Sequence, residues 1–229
     1  MQTPCTVAAV VAIAAAVLGS GCRSADRSRS NSQPAVTVAP GNQPSIAQAR
    51  ELFFRAVEGD AEALGECEST LSSLATHDAK VRAYRGACQM LRAKQARWPW
   101  EKGRYAEAGL RMLDAAVADA PSDPEVRFVR GMTSYNLPPV FSRGDLAAAD
   151  LGAVAARAEA SAADGTLDAP LAAAALYYYG ELRQRAGDEA QAIDLWRRAI
   201  DLAPGTRAAV RSGDKLKAVK NARSSTPRQ

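Results

Sequence analysis

The sequence predicts an all-α protein, and three observations carry that expectation. Alanine dominates and β-branched residues rarely run together, which disfavours an all-β fold. Apolar residues recur at helical spacing through residues 46–206. Gly-Asp pairs at 59–60, 144–145 and 187–188, with Pro121 and Pro204, punctuate these stretches where helices should stop and start. The 229 residues suit one globular unit with tails, and an apolar content of 47% excludes wholesale disorder. One histidine and four cysteines weigh against a multi-ligand zinc site.

Residues 5–21 carry no charge and end in small residues ahead of Cys22. The run is short and alanine-rich for a membrane span, and it fits the core of a signal peptide over residues 1–21. Leu18-Gly19-Ser20-Gly21 followed by Cys22 resembles a bacterial lipobox, with the leucine one place farther from the cysteine than that pattern has it. The resemblance implies lipidation of Cys22 and a place in the bacterial cell envelope, on the outer membrane facing the periplasm. An ordinary signal peptide cut elsewhere is the other reading. Residues 22–45 are rich in Ser, Pro, Arg and Asn and lack aromatics, as a disordered, flexible tether would.

Charge is unevenly placed. Residues 22–50 carry a net +3 and residues 205–229 a net +6, so the middle, 51–204, is acidic at −5. A basic pI therefore reflects the ends, which argues against a nucleic-acid-binding core.

Four helical pairs follow in order. Residues 46–76 break at Gly59-Asp60, and residues 79–121 open at Gly86 and turn through the segment holding Trp98-Pro99-Trp100. Residues 123–157 open at Gly131 and turn through Leu137-Pro138-Pro139-Val140-Phe141, with Gly144-Asp145 at its end. Residues 173–206 turn at Gly187-Asp188 and stop at Pro204. The segment after Pro204 reads as a polar capping helix that runs into a basic tail, 207–229. The bulky apolar residues of the two lengthened turns must either cover the end of a stack or be used.

In the last pair, Gly180, Gly187, Ala192, Trp196, Ala199 and Pro204 fill six positions of a tetratricopeptide repeat in register, while Tyr179 and Arg183 depart from it. The chain thus resembles the tetratricopeptide-repeat family. The resemblance implies about four hairpins stacked into a short right-handed solenoid over residues 46–206. It also implies that ligands bind its concave face, lined by the first helix of each pair. Carried over by register, the partner-binding residues are Tyr177, Glu181, Gln184 and Arg185, and on the preceding pair Phe128, Met132, Tyr135 and Asn136.

Cys67 lies ten residues before His77 and Cys88 eleven after it, which puts the two level in an antiparallel hairpin. A disulfide is therefore expected in an oxidising envelope, with two buried small hydrophobes as the alternative. His77 should lie in a turn or cap a helix.

No phosphate loop, zinc signature, nucleophile elbow or His–Cys pairing is present, so no catalytic residue, metal or cofactor is expected. The expected function is an envelope interaction scaffold, anchored at Cys22, that binds a partner protein or peptide and no nucleic acid. The alternative is a periplasmic small-ligand-binding accessory component of a transporter.

Overall fold

The computed structural model describes residues 44–225; the signal segment, Cys22 and nearly all of the tether lie outside the described residues. Ten α-helices and one short 3-10 helix make up the described chain, and no strand occurs among the described residues. Most of the helices start at a residue suited to that place. Ser45, Asp60, Asp78, Asp123 and Asp188 each accept a backbone N–H from the first turn they precede. Pro99, Pro124 and Pro170 stand at the starts of their helices, where a missing N–H costs nothing.

The helices are α1 (Ile46–Val57), α2 (Ala61–Ser72), α3 (Ala79–Gln95), α4 (Pro99–Asp119), α5 (Pro124–Tyr135), α6 (Gly144–Ala155), α7 (Ala158–Ala163), α8 (Ala169–Arg185), α9 (Glu189–Leu202) and α10 (Arg207–Ser225). The closest packing joins α1 with α2, α3 with α4, α5 with α6, and α8 with α9. α1 touches α3, α3 touches α5, α5 touches α8, and α8 touches α10. α2, α4, α6 and α9 pack on α3, α5, α8 and α10 in turn. α3 and α5 run parallel, because Lys80 near the start of one reaches Asp123, the cap of the other.

Small residues set how closely the paired helices cross. A Cβ at Gly86 would lie 2.8 Å from the carbonyl oxygen of Gly109, and one at Gly109 would lie 2.7 Å from that of Gly86. α3 and α4 therefore meet backbone to backbone. At Gly180 the neighbour is a ring: a Cβ there would lie 2.5 Å from Trp196 Nε1. That indole N–H donates to the carbonyl of Tyr177, so the buried ring leaves no donor unpaired.

Two expectations need correction. Gly144-Asp145 is not an inter-helix turn like Gly59-Asp60 and Gly187-Asp188. Gly59 and Gly187 take positive φ, whereas Gly144 is already helical and Ser142 makes the left-handed turn before it. The two proline-bearing turns do not cover the end of a stack, since Trp98, Trp100, Val140 and Phe141 are exposed. The two turns also lie apart from each other. Arg143, beside the second turn, pairs with Asp114, which lies fourteen residues along α4 from Trp100. At ~1.5 Å per residue that is a separation of about 20 Å along the helix axis. α7 is an addition with no counterpart in the sequence reading; it packs on α8 through a segment whose Leu167 is buried.

Candidate binding pocket between the first and last helices

α1 carries Arg50 and Phe54 on one face, four residues apart, and Glu58, four residues farther on, caps its end. α8 presents Tyr177 and Tyr178, and α10 presents Arg207 and Arg211, again four apart. These three helices bound a cavity of about 690 Å³. Its lining combines apolar and aromatic residues, Phe54, Leu171, Ala174, Tyr177 and Tyr178, with charged residues of both signs, among them Arg50, Arg211, Glu58 and Asp168. Volume and lining match the usual dimensions of a small-ligand or side-chain pocket.

Ion pairs hold α1 across this cavity. Arg207 pairs with Glu58, and Arg50 pairs with Asp168, the cap of α8. Arg50 also grips Glu125 of α5 with two bonds of 2.8 and 2.9 Å. Glu125 is buried, and it further accepts from the Tyr84 hydroxyl at 2.9 Å and lies 3.2 Å from Lys80 Nζ. A buried carboxylate is tolerable only when it is paired in this way. Burial, and then the Glu125 charge, push the Tyr84 phenol well above its ordinary range.

Arg211 differs from the other arginines of the pocket. It forms no ion pair with a carboxylate among the described residues, and it lines the pocket together with Tyr177 and Tyr178. Burial raises both phenols, and the Arg211 charge opposes that rise. The site therefore offers one uncommitted cation beside two rings.

Behind Tyr178 the aromatic surface continues. The Tyr135 ring lies 5.1 Å from it, and the Arg185 guanidinium sits 4.5 Å over Tyr135 while donating to its hydroxyl at 2.6 Å. Glu181 accepts weakly from Tyr135 at 3.4 Å and lies 2.8 Å from Lys215 Nζ. Burial and the Glu181 charge push the Tyr135 phenol up to about 12.

Of the residues expected to bind a partner, Tyr177, Glu181, Arg185 and Tyr135 thus come together beside the pocket, although Tyr177 and Glu181 are largely buried. Gln184 is half-buried, and the exposed Asn136 bonds back to the Met132 carbonyl at the end of α5. Phe128 and Met132 do not face a partner. They are 0% and 3% exposed and belong to the core, because α5 is packed on several sides by α3, α4, α6 and α8. Arg50, Phe54 and Arg211 were missed. The four-residue spacing of Arg207 and Arg211, and of Arg50 and Phe54, is the signal that could have found them.

Cys67 and Cys88 are brought together, as the spacing predicts. The expected disulfide is not formed: both are free, buried thiols with sulfurs 3.5 Å apart, and Cys67 also donates to the Ala49 carbonyl. The neighbouring thiol and burial both raise the Cys88 pKa. His77 is exposed in the α2–α3 turn, and the cap is its neighbour Asp78. No cluster of three potential metal ligands occurs among the described residues, and no described helix is long and apolar enough to cross a membrane. Compared with known proteins, the chain matches no family model, no curated protein and no solved structure.

Proposed function

We propose that this chain is a binding module of tetratricopeptide-like architecture, lipid-anchored at Cys22 in a bacterial envelope, that captures an extended segment of a partner protein. The order of helix contacts supports the architecture: each first helix packs on the next first helix, and each second helix on the first helix of the following pair. In such a stack α1, α3, α5, α8 and α10 line the concave side. The observation that carries the binding role is Arg211, a cation without a carboxylate partner among the described residues, set beside Tyr177 and Tyr178 in a cavity of about 690 Å³. A carboxylate next to an apolar side chain is the chemistry that complements it.

A second reading has its own support. The Arg207–Glu58 and Arg50–Asp168 pairs hold α1 over the cavity, which suits a small anionic solute better than a long peptide. One experiment separates the two. The full-length protein serves as bait on detergent-solubilised envelopes beside Arg211→Glu and Tyr178→Ala variants, and the same proteins are titrated with carboxylate-bearing solutes while thermal stability is followed. One protein retained by the native chain and lost by both variants supports the scaffold. Stabilisation by a solute, lost in Arg211→Glu, supports the ligand reading. Neither response would remove the pocket as the functional site.

A further inference from the structure

The turn between α3 and α4 is a second surface with a chemistry of its own. α3 and α4, of 17 and 21 residues, outrun α5 and α6, of 12 each, so this turn stands beyond its neighbour. At the tip Trp98 and Trp100 stack on each other with ring centroids 4.9 Å apart, yet they remain 49% and 67% exposed. Large aromatic residues exposed to this degree on a protruding turn call for an occupant.

The surrounding charge says which. Lys94, Arg97, Lys102 and Arg104 are all exposed, and none forms an ion pair among the described residues. Arg97 lies over the Trp98 ring at 5.8 Å. Glu101 is the one acid between residues 94 and 104, so the tip carries a net +3 within a middle region, 51–204, that is net negative. Other arginines of these hairpins are committed, as Arg92 is to Glu68 and Arg82 to Asp119. Cations left free at one tip of an acidic domain mark a surface shaped for an anionic partner.

We propose that the α3–α4 tip docks on an anionic phospholipid surface, with Trp98 and Trp100 at the headgroup level and the four cations on the phosphates. Tryptophan has an amphipathic ring that settles at the membrane–water interface. Lysine and arginine beside it gain from the negative potential of anionic lipid. The tip thereby orients the domain, and it does so independently of the pocket between α1, α8 and α10.

The test uses the full chain with Cys22→Ala, so that no acyl chain is attached. It is mixed with vesicles of phosphatidylcholine containing one-quarter phosphatidylglycerol, and with the same vesicles brominated in the acyl chains. The chain has three tryptophans, and the third, Trp196, is fully buried, so quenching by bromine reports on the tip. The expected result is vesicle binding with a blue shift and quenching of the exposed tryptophans. Trp98→Ala/Trp100→Ala should no longer co-sediment with the vesicles. Lys102→Gln/Arg104→Gln, which keeps the rings, should bind roughly thirtyfold more weakly, from the attraction each basic residue gains at an anionic surface. Binding without quenching would place the contact elsewhere on the chain and overturn the proposal. So would equal binding by the tryptophan variant, an absence of binding, or capture by a soluble polyanion such as heparin in place of vesicles.

Discussion

Two hairpins use tryptophan in opposite ways. In α8–α9, Trp196 is fully buried, fills the space left by Gly180, and donates to the Tyr177 carbonyl. In α3–α4 the crossing is closed without a ring, by Gly86 against Gly109, and the tryptophans are displaced to the tip. The difference is one of where close approach is bought. When two backbones touch, no aromatic plug fits between the helices, and a large ring is free for another task. The same residue type is thus a core element in one pair and a contact element in the other.

The comparison can be broken from either side. Trp196→Ala should give the largest loss, ~3–5 kcal/mol, because it empties a packed site and leaves Gly180 facing a cavity; urea unfolding followed by circular dichroism measures it. Glu125→Ala should cost a similar ~3–5 kcal/mol, since Arg50 and Lys80 lose a buried counter-charge; the same unfolding curves report it. Gly86→Ala should cost ~1–3 kcal/mol, because its Cβ meets a carbonyl oxygen that cannot turn aside. A thermal melt that left this variant unchanged would show that α3 and α4 can slide apart. Trp98→Ala/Trp100→Ala, by contrast, should stay within ~0.5 kcal/mol of the native chain, as exposed substitutions do.

A pH experiment sharpens the picture at Tyr135. Its folded pKa, about 12, lies above the ordinary tyrosine value near 10. The raised value favours the neutral phenol in the folded state. The associated stability is fully present below pH ~10 and is lost as pH rises from there through the folded value. Tyrosinate absorbance should therefore appear late in the native chain, and Tyr135→Phe should flatten the fall in stability between those limits.

Much of the helix plan was legible in the sequence because turns advertise themselves locally. Gly59-Asp60 and Gly187-Asp188 pair a left-handed glycine with an N-capping aspartate, and both mark real boundaries. α7 was not legible, since its four alanines, Glu159 and Ser161 show no periodic apolar stripe, and tertiary packing on α8 decides it. The pocket was half legible. Tyr177 and Arg185 lie in the one pair with a strong register. Phe128 was misjudged, because register alone does not show how many neighbours α5 has. Arg211 lies in the segment read as a polar capping helix, and charge pattern alone did not show that this helix packs on α8 and α9 and turns Arg211 to the pocket.

Glu125 has a consequence for how the protein comes apart. In arrays of stacked hairpins, stability is usually a sum over neighbours, so the ends fray while the middle holds. Here Arg50 leaves the first hairpin and binds the third at Glu125 and the fourth at Asp168. Pulling off the first hairpin therefore exposes the Glu125 charge at the centre, and pulling off the last strips Arg50 of Asp168. Such a chain should melt in one concerted step, and trimming its first helix should be felt in the last.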